Sequence, residues 1–393
     1  MSFLDRIIIN PEVVLTKGEV YPFIDMANVS TSNRQPDSIS ERVFAGGGAR
    51  FQYGDTVIAR IEPCLQNGKR FFCDSIEKGF GSTEYLVFRP KDHTVNSLFL
   101  YYFMQQNSVK QAMVNSMVGA TGRQRVNNSV FVDLPFDPPR IEVQTRIASI
   151  LSAYDSLIET NQRQIKLLEE AAQRLYKEWF VDLRFPGHED VPVVDGVPEG
   201  WKVDRADCFF DISIGKTPPR AEKQWFVDGG DGIPWVSISD MGDSGTFIFE
   251  TSEGLTREAI ERYNVKVVPT GTIFVSFKLT VGRVSIATVP MCTNEAIAHF
   301  RIDDPILREY TFSYLRSFEY DELGNTSSIS KAVNSKIIKA LRFIMPDTQT
   351  LEAYSKRVAP VFDEIFSLQA LNQRLSEARD RLLPKLMSGE IAV

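Results

Sequence analysis

Histidine and cysteine are scarce in this 393-residue sequence. There are three histidines, His93, His188 and His299, and four cysteines, Cys64, Cys73, Cys208 and Cys292. The cysteines have no paired spacing, which is typical of reduced thiols and not of a disulfide framework or a zinc site. So few histidines also make a histidine-based catalytic centre or a metal centre a poor expectation.

Long apolar runs are absent as well. No stretch approaches the ~20 apolar residues that a membrane span requires, and residues 1–14 show no basic region leading into an apolar one, so no signal peptide is expected. Hydrophobic residues make up 43% of the chain and charged residues 24%, as in ordinary globular proteins. The sequence therefore predicts a cytoplasmic protein of two or three domains.

The chain has no excess of positive charge. Its formal net charge is -7, with 15 Lys and Arg against 14 Asp and Glu in residues 1–140, and 17 against 23 in residues 186–346. This balance weakens a nucleic-acid interpretation. It does not exclude one, because the attraction of phosphate is local on the scale of a Debye length of roughly 10 Å.

The two halves of the chain repeat one another. Four blocks match in the same order: 21–30 with 233–242, 54–59 with 271–276, 82–89 with 293–301, and 126–136 with 333–343. In each half, short β-branched or alternating runs are separated by Gly, Pro, Asn and Asp clusters and are followed by a long helical pattern. The sequence predicts two α+β domains at 1–140 and 186–346, with helical regions at 141–185 and 347–393.

Both helical regions carry heptad patterns, with apolar residues spaced alternately by four and three. The first seam comprises Ile147, Leu151, Tyr154, Ile158, Asn161, Ile165, Leu168, Ala172, Leu175 and Trp179. The second comprises Val361, Ile365, Leu368, Asn372, Leu375, Arg379, Leu382 and Leu386. Each seam contains an asparagine within the same tripeptide, Asn-Gln-Arg.

The seam asparagines indicate how the helices pair. A buried Asn costs stability and is best tolerated when it finds a polar partner, so we expect an antiparallel coiled coil whose register the seam asparagines fix. Such a pair would hold the two domains at opposite ends and suit a ligand with two separated sites. The alternative is that each helix packs only on its own domain.

Several segments resemble the specificity (S) subunits of type I restriction-modification systems, the HsdS family. The segments are Leu175–Phe180, Gly200–Lys202, Ile214–Pro218, Ile233–Asp240, Thr293–Ala296 and Leu383–Ile391. The resemblance covers essentially the whole chain. One departure is the N-terminus, where nothing before Tyr21 matches the opening of the second domain at residues 201–218, so the first domain either starts differently or is shortened.

The resemblance implies two target recognition domains, each reading one half of a split, asymmetric DNA site. It also implies that the coiled coil sets the gap and docks two methyltransferase subunits, to which restriction subunits are added. The chain itself would be non-catalytic and hold no cofactor. S-adenosylmethionine, ATP and Mg would belong to the partner subunits.

Loop residues able to donate to bases or phosphates are the candidate DNA contacts. They are Arg50, Lys69, Arg70, Thr121, Arg123, Gln124, Arg125, Lys216, Thr217, Arg220, Lys278, Arg283, Ser328, Ser330 and Lys331. We expect three equivalent places in the two halves: Gly68–Arg70 with Gly282–Arg283, residues 121–125 with 328–331, and residues 46–50 with 216–220. Solvated turns are the alternative for each.

Two strings suggest a rival function, autonomous adenine methylation. Phe44–Gly48 fits the cofactor-loop pattern FxGxG, and Asp137–Arg140 approaches the DPPY motif. However, polar residues precede Phe44 where a buried strand would be needed, and the second string lacks the aromatic that stacks on a flipped base. A coiled-coil scaffold that binds only proteins is a further alternative.

Overall fold

The computed structural model describes residues 2–320 and 334–393. The chain forms two compact units: unit 1 comprises Met1–Asn161 and Leu371–Val393, and unit 2 comprises Gln162–Ala370. Two long helices contribute to both units. The central helix spans Ile141–Tyr176 and is continued by a π-helical turn at Lys177–Val181, and the C-terminal helix spans Thr348–Ser388. None of the helices in the described ranges is long and apolar enough to cross a membrane.

Unit 1 contains two four-stranded sheets. Its strands are β1 (Ile7–Ile9), β2 (Val20–Ile24), β3 (Ser40–Val43), β4 (Ala49–Gln52), β5 (Thr56–Ala59), β6 (Arg70–Phe72), β7 (Lys78–Gly81) and β8 (Tyr85–Pro90). One sheet has the antiparallel order β1-β8-β5-β6, and the other has the order β3-β2-β7-β4 with a parallel β2–β7 pair. Short helices lie at Phe3–Arg6, Ser97–Phe103 and Asn107–Asn115.

Unit 2 is built on a similar plan with more strands. They are β9 (Val193–Val194), β10 (Val197–Pro198), β11 (Lys202–Arg205), β12 (Asp211–Ile214), β13 (Phe226–Asp228), β14 (Ile233–Val236), β15 (Phe247–Ile248), β16 (Glu253–Leu255), β17 (Ile273–Ser276), β18 (Val284–Ala287), β19 (Cys292–Thr293), β20 (Ile297–Arg301) and β21 (Arg342–Met345). The larger sheets have the orders β12-β20-β17-β18-β15 and β13-β16-β14-β19, and β9–β10 and β11–β21 form two-stranded pairs. Short helices lie at Ala206–Phe209, Ile238–Asp243, Arg257–Tyr263, Arg308–Ser317 and Ser335–Lys339.

The topology confirms the predicted duplication. The order β1-β8-β5-β6 of unit 1 recurs as β12-β20-β17-β18 in unit 2, and β3-β2-β7 recurs as β16-β14-β19. The parallel pair occupies the same place in each, joining Phe23 to Phe80 in unit 1 and Trp235 to Cys292 in unit 2. The central strands β5 and β17 are fully buried, as their apolar and β-branched residues require.

The N-terminus of unit 1 has a structural counterpart that the sequence comparison missed. The helix Phe3–Arg6 and strand β1 lie where Ala206–Phe209 and β12 lie in unit 2, since β1 pairs with β8 as β12 pairs with β20. Before them, the described residues of unit 1 form the Ser2–Pro135 bridge where unit 2 has the β11–β21 pair. Because helices and strands this short share a pattern of burial but not residue identities, no sequence motif identifies them.

The helices pair antiparallel, as the seam asparagines predict. In unit 1, Asn161 Nδ2 donates to Asn372 Oδ1 at 2.8 Å, and Arg379 Nη1 lies 2.6 Å from Asp155 Oδ1. The contact that lies earlier in the central helix thus lies later in the C-terminal helix, as expected of an antiparallel pair. In unit 2, Gln164 Nε2 donates to Glu364 Oε1 at 3.5 Å, and the Trp179 ring packs on the Tyr354 ring at 5.9 Å.

The helices pair with each other and also pack on the globular parts, so the alternative that each helix packs only on its own domain is wrong. Every residue of the two predicted seams is buried or half-buried, but the buried faces are wider than a seam. In unit 1, Ile147 and Leu151 join Leu383 and Leu386 in the core of the globular part. In unit 2, the buried core likewise includes residues of both helices, such as Tyr176 and Tyr354. Each globular core is therefore closed by two helical stretches.

A buried polar cluster lies on the helix pair of unit 1. The Asp155 carboxylate accepts from Arg379 and, at 2.5 Å, from the Tyr102 hydroxyl, and both Asp155 and Arg379 are at most 5% exposed. Burial, reinforced by Asp155, raises the pKa of Tyr102 far above its ordinary value, so the hydroxyl remains a donor. Arg379 also donates to Ser32 O, and Arg34 pairs with Glu159 at 3.2 Å. These bonds tie the loop around residues 32–34 to both helices.

Replacing Arg379 by Met should strongly destabilise the protein. The substitution leaves the Asp155 carboxylate buried without its cation, which costs about 3–5 kcal/mol. The double variant Asp155→Leu/Arg379→Met removes both charges and should lose much less. Urea unfolding monitored by circular dichroism measures the difference, with Arg381→Met, which breaks an exposed pair with Glu377, as the control. Equal losses in the single and double variants would contradict a buried ion pair.

His299 is a fully buried histidine of unit 2. Its Nδ1 lies 3.1 Å from Ser213 Oγ and its Nε2 lies 2.7 Å from Thr293 Oγ1. Burial, together with the nearby charge of Lys266, lowers the pKa of His299 from its ordinary 6.5 to about 3. The imidazole is therefore neutral in the folded protein and acts as a hydrogen-bonding part of the core.

This histidine makes unit 2 sensitive to acid. Between about pH 6.5 and pH 3 the unfolded chain binds a proton that the folded chain does not, so stability falls as the pH falls through that window. His299→Gln retains hydrogen bonding and does not titrate. The variant's thermal midpoint should change less between pH 7 and pH 4.5 than that of the wild type. His93→Gln, at an exposed position, should follow the wild-type curve, and parallel curves for wild type and His299→Gln would refute the assignment.

Candidate nucleic-acid interface

The turns after β5 and β17 are equivalent, as the repeat predicts. Ala59 N–H donates to Lys69 O and Ser276 N–H donates to Arg283 O. Gly68 and Gly282 precede these residues with φ of +79° and +87°, a conformation that favours glycine. The two turns therefore close with the same hydrogen bond and a left-handed glycine, although the turn of unit 2 is shorter and the flanking side chains differ.

The cations of these turns are mostly engaged within the protein. Lys69 Nζ donates to Met26 O at 2.7 Å, Arg70 Nη2 donates to Gln105 Oε1 at 2.6 Å, and Arg283 donates to the carbonyl of Ile238. They brace neighbouring loops. Lys278, by contrast, is exposed, with its ammonium 5.6 Å from the Phe277 ring centroid.

In the loop at residues 121–125, Arg123 is exposed to solvent and Arg125 is held in an ion pair. Arg125 forms a fork with the Glu84 carboxylate, with Nη2 2.7 Å from Oε1 and Nε 2.9 Å from Oε2. Hydrogen bonding from Arg125 lowers the pKa of Glu84, so this pair persists at neutral pH. Arg123 and Thr121 are exposed and Gln124 is half-buried. The proposed counterparts Ser328, Ser330 and Lys331 lie outside the described residues.

The third pair of places, residues 46–50 and 216–220, is not equivalent. Gly46–Arg50 leads from the β3–β4 connection into β4, whereas Lys216–Arg220 lies between β12 and β13. The expected match is wrong because it rested on shared turn-forming residues followed by an arginine, and such composition recurs in turns of unrelated position. The residues remain candidates individually.

Arg220 is the most firmly positioned of the candidate arginines in unit 2. Its guanidinium carbon lies 4.2 Å from the Phe226 ring centroid and 4.5 Å from that of Trp235, and Nη1 lies 2.8 Å from Glu253 Oε2. Stacking and pairing fix the orientation of the fork. Nearby, the Thr217 hydroxyl donates to the Glu295 carboxylate, and Lys216 is exposed.

A cleft of about 380 Å³ in unit 1 brings together two arginines, Arg50 and Arg60. Arg60 was not a candidate from the sequence. It follows β5 as a single cation, and the second half has Phe277 at the equivalent position, so the comparison of repeats did not select it. The sequence feature that could have identified Arg60 is its position directly after strand β5. The basic surface of unit 1 therefore includes a concave part.

The two methyltransferase-like strings lie in irregular connecting segments. Phe44 is buried, with its ring 5.1 Å from that of Phe80, and Gly46–Gly48 lead into strand β4, not into a helix as a cofactor loop requires. Asp137–Arg140 directly precede the central helix. Among the described residues, no group of His, Cys, Asp and Glu could hold a metal ion.

Comparisons with known proteins agree with this architecture. The chain is 26% identical over 406 residues to the type I restriction enzyme HindI specificity subunit of Haemophilus influenzae, with 86% of each chain covered. It is 28% identical over 318 residues to the MjaIX specificity subunit of Methanocaldococcus jannaschii, covering 77% of this chain and 71% of that one. The fold matches the crystal structure of a type I restriction-modification system S subunit from M. genitalium with a TM-score of 0.56 and 15% identity, covering 98% of this chain and 95% of that one.

A family model also matches the chain twice. Residues 9–170 and 198–377 each match the type I restriction modification DNA specificity domain, and each match takes in a globular part and the helical stretch that follows it. The chain therefore belongs to the family of type I restriction-modification specificity subunits.

Proposed function

We propose that this chain is the DNA sequence-specificity subunit of a type I restriction-modification complex and recognises an asymmetric bipartite site. The observation that carries the proposal is the duplication: two units of one topology, each with its own cationic loops. A protein with two related DNA-reading domains suits a site in two parts. The family membership supports the same function.

The asymmetry follows from differences at equivalent positions. Phe277 of unit 2 occupies the position that Arg60 has in unit 1. The backbone N–H of Arg60 donates to Glu84 O, just before β8, and the backbone N–H of Phe277 donates to Ala296 O, just before β20. Phe277 is buried, so unit 2 offers no donor at the place where Arg60 lines the cleft of unit 1. Two units that share a frame and differ in such side chains read different half-sites.

The chain acts without catalysis of its own. Its recruitment of two methyltransferase subunits, and through them of restriction subunits, is supported by its membership of the family of type I restriction-modification specificity subunits. S-adenosylmethionine, ATP and Mg act in those partners.

Mapping methylated adenines in DNA from cells that carry the full system tests the proposal. We expect methylation at one split sequence whose halves differ. Lengthening both helices by a heptad, inserted after Asn161 and after Leu371, should lengthen the spacer and leave both half-sites intact, because pairing is kept in register. If the half-site sequences change instead, the helices do not set the spacing. If the complex enriches no sequence from a duplex pool, the chain is a protein-binding scaffold.

Arg123 provides a test at the level of one side chain. Its guanidinium is exposed and has no hydrogen bond within the described residues, whereas its neighbour Arg125 is held by Glu84. Arg123→Ala should weaken binding of the specific duplex by roughly five- to a hundredfold, equivalent to about 1–3 kcal/mol. Fluorescence anisotropy at fixed salt measures this loss. Arg374→Ala, at an exposed arginine of the C-terminal helix, should bind like the wild type, and equal affinities for all three proteins would refute a contact by Arg123.

A further inference from the structure

The cleft of unit 1 has the geometry of a binding site for an oxyanion. It lies between the segment before β2, the start of β4, the residue after β5 and the start of β8. Gly48 on its wall has φ of +92°, and a Cβ there would lie 2.3 Å from the carbonyl oxygen of Gly81. The cleft therefore depends on a backbone approach that only glycine permits.

The donors of the cleft are only partly used by the protein. Arg60 Nε is buried and has no hydrogen-bond partner in the described residues. Arg50 makes one long bond, from Nη1 to Val13 O at 3.4 Å, and its guanidinium carbon lies 5.0 Å from the Phe44 ring centroid. Each guanidinium has five N–H donors, and a buried donor without a partner is costly. An acceptor from outside would satisfy these groups.

The cleft offers several hydrogen-bond donors to an anion. Asn10 and Thr83 add an amide and a hydroxyl to the two arginines, and the one carboxylate of the lining, Glu12, is exposed. Guanidinium groups offer donors and no acceptor, and their planar fork matches phosphate oxygens. Arginine also pairs with the O6 and N7 acceptors of guanine, but that contact would carry sequence information whereas a phosphate contact would not. The buried Tyr85 hydroxyl on the same lining also has no partner in the described chain.

We propose that the Arg50–Arg60 cleft of unit 1 binds one backbone phosphate of the DNA. This inference rests on the proposed function and adds a position-setting contact to it. Phosphate contacts fix the register of a protein on the duplex and carry no sequence information. Because unit 2 has Phe277 where unit 1 has Arg60, the contact belongs to one half-site only.

Phosphate-ethylation interference on the specific duplex tests the site directly, using the full chain with its methyltransferase subunits. In the wild type, ethylation of one phosphate in one half-site should block binding, and this interference should disappear in Arg60→Gln and Arg50→Gln. Each variant should also reduce the slope of log affinity against log salt by about one. Preference for the half-site sequences should stay unchanged.

Arg42→Gln is the matched control, because Arg42 is a half-exposed arginine of the same unit that stacks on Phe23 and pairs with Asp25. It should retain the wild-type interference pattern. Arg60→Lys keeps the positive charge and should have the wild-type slope of log affinity against log salt. This result would show that the smaller slope of Arg60→Gln comes from the lost charge and not from a loss of folding. An unchanged interference pattern in Arg60→Gln, or a changed base preference, would overturn the phosphate assignment.

Two further measurements distinguish the backbone-phosphate proposal from a site for free phosphate and from a failure of the proposed function. Calorimetric titration with inorganic phosphate should show no saturable binding to the DNA-free complex. Saturable binding that Arg60→Gln abolishes would assign the cleft to a free phosphate ligand and overturn the backbone contact. If the wild type selects a bipartite sequence and Arg60→Gln behaves identically, only the cleft assignment fails. If the wild type selects none, the proposed function itself fails.

Discussion

The closing of each globular core by two helical stretches is the constraint on which the structure depends. In unit 1 the sheet β1-β8-β5-β6 packs against the start of the central helix and the end of the C-terminal helix, so Leu151 and Leu386, far apart in the chain, share one core. The loss of either helix would expose apolar surface in a unit that otherwise has few long helices. Packing of the helices on the domains and pairing of the helices with each other are therefore parts of one arrangement.

Polar groups within the helix pair supply the register that apolar packing leaves open. Leucine and isoleucine seams tolerate sliding by a heptad, but Asn161 finds its amide partner only at Asn372, and Asp155 finds its cation only at Arg379. Such pairs are weak evidence for stability and good evidence for specificity of pairing. Arg379 also donates to Ser32 O, so the residue that fixes the helix register also holds a loop of the same unit in place.

The cations of the two units divide between internal and external roles. Lys69, Arg70 and Arg283 hold loops in place through their own donors, whereas Arg123 and Lys216 point to solvent. Braced loops limit the freedom that an interface must lose on binding. Under the proposed function, a protein of net negative charge would read DNA through a few placed donors and not through a basic field.

The sequence alone determined the duplication, the α+β class and the antiparallel pairing, because repeated blocks and a heptad period with one asparagine are local patterns with few structural solutions. It also identified the family. Only the tertiary structure decided which arginines are already paired, that Gly46–Arg50 and Lys216–Arg220 occupy different places, and that the N-terminus repeats the opening of unit 2. The cleft with Arg60 was hidden for the same reason: its walls come from four separate segments, and proximity between distant segments has no periodicity in the chain.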